Sequence, residues 1–130
     1  MSATMSLSLR YVENVHPDLK SEMRHFGRWL REEYEFSLPL EIRLINRKHL
    51  IDTDGTECAL RWWQNEKSFK SEIAVFSFRA NLAKEGPKVA FPTAVAAMGR
   101  ALYYYYRAIN DLAAFEAQAT RWGDQVLEAY

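Results

Sequence analysis

The chain has only one cysteine, five glycines and four prolines in 130 residues, and its seventeen basic and seventeen acidic side chains cancel. The lone thiol, Cys58, excludes an intrachain disulfide and leaves too few thiolates for a structural zinc site, which fits a reducing compartment. The zero balance leaves no global field to draw the chain onto a nucleic-acid backbone or an anionic membrane. No apolar run approaches the roughly 20 residues that span a bilayer, and Met1 to Leu9 has neither the charged start nor the apolar centre of a signal peptide. No Pro/Gly/Ser stretch or like-charge block suggests a linker.

What is present is apolar and aromatic material, 48% and 14% of the chain. That suffices for a real core in one compact domain and exceeds a disordered composition. The expectation is a single soluble, cytoplasmic domain over residues 1–130, flexible over 1–10, with no cofactor and no membrane partner.

From Pro17 to about Tyr34, Leu19, Met23, Phe26, Leu30 and Tyr34 recur at a helical period, and Pro17 suits a first helical position. Leu40 to Asn46 alternates, with Leu40, Ile42 and Leu44 on one face. Asp52-Thr53-Asp54-Gly55 is a turn signal ahead of Glu57 to Trp63, and Glu72 to Arg79 is rich in β-formers. These predict two to three antiparallel strands. Asn81 to Phe91 reads as a connection, and Pro92-Thr93 as the start of a second helix. On that helix Ala94, Ala97, Ala101, Tyr104 or Tyr105, Ala108 and Leu112 form a small-residue stripe. Phe115, Ala119, Trp122, Val126 and Tyr130 mark a last helix. The predicted class is α+β: an N-terminal helix, a small antiparallel sheet and two C-terminal helices.

Arg100 to Arg107 reads Arg-Ala-Leu-Tyr-Tyr-Tyr-Tyr-Arg, and Glu116 to Trp122 reads Glu-x-x-Ala-x-x-Trp. Together they resemble the last two helices of small zincin peptidases of the ImmA/IrrE and SprT-like kind, in which His-Glu-x-x-His holds zinc and a later glutamate is the third ligand. In that frame the degenerate metal-site positions are Arg100, Ala101, Tyr104 and Glu116. Arginine cannot ligate zinc and alanine has no proton-accepting group, so the resemblance implies a scaffold without catalysis. It also implies an Arg100–Glu116 ion pair where the metal would be. By analogy alone, chains of this kind resemble accessory factors of phages or mobile elements, including inhibitors of host defence nucleases.

A domain without chemistry acts through contacts, and Tyr and Trp are favoured anchors. The candidate protein-binding residues are Trp62, Trp63, Tyr103, Tyr105, Tyr106 and Arg107. Two rivals stand beside this reading. One is a hydrolase with relocated ligands, which requires His25, His49 and Glu116 to converge. The other is nucleic-acid binding through the first-helix row Lys20, Arg24, Arg28 and Arg31; Glu22, Glu32, Glu33 and Glu35 share that helix. Asp52, Asp54 and Gly55 fail the calcium-loop register, because Trp63 stands where a bidentate glutamate belongs.

Overall fold

The computed structural model describes residues 7–75 and 86–130. Alternation begins before the first helix: Leu7, Leu9 and Tyr11 turn to one face of strand β1, Leu7–Val12. Residues 7–10, expected in a flexible lead, are therefore part of the sheet. Helix α1 spans Pro17–Glu33, started by the His16 imidazole, whose Nδ1 accepts from Asp18 N at 3.1 Å. Strands β2 (Leu40–Ile45), β3 (Leu50–Ile51), β4 (Glu57–Cys58), β5 (Leu60–Gln64) and β6 (Phe69–Ala74) follow. Helices α2 (Gly86–Ile109) and α3 (Glu116–Ala129) end the order.

The α+β class stands, but the antiparallel sheet does not. The main sheet is four-stranded and mixed, in the order β1-β2-β6-β5, with β1, β2 and β6 parallel and β5 antiparallel at one edge. The reason lies in the connections. A whole helix between β1 and β2 returns the chain to run in the same direction, whereas antiparallel pairing follows a short turn. Such turns occur at Asn65–Ser68, where Asn65 Oδ1 accepts from the Lys67 and Ser68 amides, and at Asp52–Thr56, which closes the small β3-β4 hairpin. In the second turn Gly55 takes φ 87°, a left-handed backbone that favours glycine.

Strand β6 begins earlier than expected, at Phe69; positions 76–79 of the expected strand, and 81–85 of the expected connection, lie outside the described residues. Helix α2 starts at Gly86-Pro87, so Pro92 lies inside it instead of opening it. Pro92 is exposed and forfeits one backbone bond there. The helix ends in a Schellman cap: Leu112 N bonds Arg107 O at 2.8 Å, Asp111 N bonds Ala108 O at 3.1 Å, and Asp111 takes φ 55°.

Both α1 and α2 cover one face of the sheet. Leu19, Met23, Phe26 and Leu30 of α1 and Ala94, Met98, Ala101, Leu102 and Tyr105 of α2 form one core with Leu40, Ile42, Leu44, Phe69 and Ile73. Each fully buried large side chain contributes about 1.5–3 kcal/mol of apolar transfer. Leu112, expected on the buried stripe, lies past the helix end and is exposed. A second small-residue face carries α3. A Cβ on Gly99 would lie 2.8 Å from Gly123 Cα, and one on Gly123 would lie 2.4 Å from the Ala96 carbonyl oxygen, so the two backbones touch.

On the opposite face, register places side chains in three rows across the strands. The first holds Ser8, Glu41, Lys70 and Trp63; the second holds Arg10, Arg43, Glu72 and Arg61. The third, Val12, Ile45 and Ala74, is covered by Leu50 and Cys58 of the hairpin.

Candidate functional site

Arg100 and Tyr104 lie one turn apart on α2, with Ala101 fully buried in the core between them. Arg100 is half-buried, and its Nε, shielded from solvent, has no hydrogen-bond partner. Tyr104 stacks on Trp62 of β5 (centroids 5.6 Å, 20° between planes), and Trp62 stacks on Phe69 (5.2 Å, 13°). Burial pushes the Tyr104 hydroxyl pKa up; Arg100 acts against this and Glu116 with it, so Tyr104 feels both charges. The expected Arg100–Glu116 ion pair is not made, since no ion pair among the described residues includes either. Glu116 is exposed at the start of α3, where water solvates the carboxylate as well as a half-exposed partner would.

The relocated ligands are on separate elements: His25 on the exposed side of α1, His49 just before β3, Glu116 on α3. His49 pairs with Glu57 at 3.3 Å. Among the described residues no group of three His, Cys, Asp or Glu is placed to hold a metal ion.

The four tyrosines point four ways. Tyr105 is fully buried; its hydroxyl donates to Leu38 O and accepts from Leu38 N at 2.9 Å, fastening α2 to the segment before β2. This makes it a core residue instead of a contact residue. Tyr103 bonds Gln118 Oε1 at 2.7 Å and accepts from Phe115 N at 2.9 Å, which ties α2 to the start of α3. Tyr106 donates to Glu35 O and packs against Tyr34 and Trp122. Arg107 lies over the Tyr103 ring, 5.9 Å from its centroid, and holds Ala113 O at 2.7 Å.

Tyr103, Tyr106 and Arg107 line a groove of about 420 Å³ between α2 and α3, together with Asn110, Leu112, Gln118, Arg121, Trp122 and Gln125. Its lining carries two guanidiniums and no carboxylate. Trp122 and Arg121 were not singled out from the sequence as contact residues, although Trp122 and the tyrosine run both stood out as aromatic. Trp62 and Trp63, adjacent on β5, point to opposite faces: Trp62 reaches Tyr104, while Trp63 stands on the face opposite the helices. The six expected contact residues therefore do not form one patch.

The first-helix row is partly committed within the fold. Arg31 holds Leu7 O through Nε and a terminal nitrogen (3.3 and 3.0 Å), and Lys20 lies 5.6 Å from the centre of the Tyr11 ring. Burial raises the Tyr11 pKa, and Arg24 and Arg31 oppose the shift. Arg24 and Arg28 are exposed. No protein-family model, curated protein or solved structure matches this chain.

Burial pushes the Tyr106 hydroxyl up to about 12, with Tyr105, Tyr34 and Glu35 acting in the same direction. An unfolded tyrosine ionises near pH 10. Between about pH 10 and 12 the unfolded chain therefore binds fewer protons than the folded one, and stability falls as pH rises; below that window this contribution is fully present. Tyrosinate absorbance of the folded chain is expected to lag behind that of the denatured chain. Tyr106→Phe should remove the latest-ionising step, and coincident folded and denatured curves would refute the burial argument.

Proposed function

We propose that this chain acts by binding another protein through the groove between α2 and α3, as a non-catalytic domain of zincin-like descent. The groove itself carries the reading: it is concave and of ligand-site size, and it presents Tyr106, Trp122, Arg107 and Arg121 with the exposed Leu112 at its lip. The zincin resemblance rests on the sequence of Arg100 to Arg107 and of Glu116 to Trp122. Arg100 and Ala101, which stand where the resemblance puts a zinc ligand and the general base, offer neither a metal ligand nor a proton acceptor, so contacts are the remaining route to activity. A host defence nuclease is a candidate partner by analogy alone.

Affinity capture from the native host, repeated with Arg107→Glu and Leu112→Asp, tests this. Both variants are expected to keep the circular dichroism of the unmodified chain and to lose at least about tenfold in partner affinity, as truncation of a central anchor does. Capture unaffected by either change would remove the groove from the interface. Stoichiometric zinc in protein purified without chelator would overturn the non-catalytic reading.

A further inference from the structure

The sheet face opposite the helices carries a charged surface that the groove leaves unused. Its two carboxylates lie low, with Glu41 and Glu72 side chains 17% and 11% exposed, while the guanidinium of Arg10 stands 67% exposed above them. Glu41 is approached by Arg10, Arg43 and Lys70 at 3.6, 3.3 and 3.9 Å, and Glu72 by Arg43 at 3.6 Å and by Arg61. The acids therefore hold the cations in position without neutralising them. Within the two rows four positive groups stand over two negative ones, and with Asp52, which acts on Arg61 from the hairpin turn, the acids remain outnumbered, on a chain whose total charge is zero.

Trp63 stands beside Lys70 on the same face, 39% exposed and with no ring partner among the described residues. The rows run over strands about 4.8 Å apart, and no described helix rises from them to enter a duplex groove. A flat aromatic ring next to fixed cations instead suits an unstacked base with its phosphates alongside. We propose that the first two rows of this sheet face bind single-stranded nucleic acid, with a base stacked on Trp63 and phosphates over Arg10, Arg43 and Lys70.

The test is fluorescence anisotropy of a labelled, mixed-sequence single-stranded DNA dodecamer titrated with the full chain. Binding is expected to weaken with salt at a log–log slope of about −2, as for three phosphates on a single strand. Arg10→Glu and Trp63→Ala should each weaken it by about tenfold, Arg10→Lys should largely retain it, and Arg24→Glu on α1 should leave it unchanged. Circular dichroism melts of the variants report folding separately. Absence of binding, or the affinity of the unmodified chain in either Arg10→Glu or Trp63→Ala, overturns the proposal. So does equal loss in Arg24→Glu, which would place the site on α1. Polyglutamate competing as well as unlabelled oligonucleotide at equal charge would assign the face to acidic proteins and overturn it too.

Discussion

Tyr105→Ala is expected to destabilise the fold by about 3–5 kcal/mol, the range for removing a fully buried aromatic ring. The ring has no solvent exposure and packs on Phe36 and Phe69 at 5.8 and 5.4 Å. Tyr105→Phe separates the ring from its hydroxyl. Leu38 N then loses its acceptor and Leu38 O its donor at a part-buried position, a cost of about 1–3 kcal/mol. Denaturant midpoints measured at constant m-value give both numbers. If either variant folded with the stability of the parent and lost only partner capture, Tyr105 would be an interface residue after all.

The second large effect belongs to a glycine. In an isolated helix Gly123→Ala would gain about 1 kcal/mol of helix propensity. Here the added methyl meets the Ala96 carbonyl oxygen at 2.4 Å and Arg100 Cγ at 3.1 Å, and a carbonyl in the middle of a helix cannot rotate away. Helix α3 must shift outwards, and overpacking of this kind costs about 1–3 kcal/mol or more. The net expectation is a loss of up to about 2 kcal/mol, with weakened partner binding because the groove walls separate. A rise in melting temperature for Gly123→Ala would show that the two helices do not touch at this point.

These two residues also mark what the sequence discloses and what it withholds. Helix α1 and strand β2 were legible because their apolar spacing is local and strict. Tyr105 was not, because four consecutive tyrosines offer no contrast around the helix; the signal lay outside the run, in Ala94, Met98 and Ala101 on the same side. Strand β1 has an alternation as clear as that of β2, but its parallel partner is a long way along the chain, and pairing at that distance leaves no local mark. The Gly99–Gly123 contact joins two helices, so it was visible only as small residues on each, Ala96 and Gly99 on one and Ala119 and Gly123 on the other. Among the site residues, Tyr104 feels the charges of both Arg100 and Glu116, whereas the ion pair expected between those two is not made: pairing depends on side-chain reach and solvation that spacing does not contain. Alternation alone separates Trp62 from Trp63, and applying the two-residue period to β5 would have assigned them to different faces.

The central strand has a temporal consequence. Leu7 pairs with Leu40 and Leu40 with Phe69, so β2 gains each neighbour only by closing a loop of some thirty residues, and such closures slow folding. The α2–α3 hairpin needs no such closure, since its partners are near in sequence and its cap is built from adjacent residues. During synthesis the sheet must wait for β6 to emerge, and until then α1 has only β1 and β2 to shield its apolar side. The order of folding should therefore run against the order of the chain, with the last two helices associating quickly once made and the first strands acquiring protection from hydrogen exchange late.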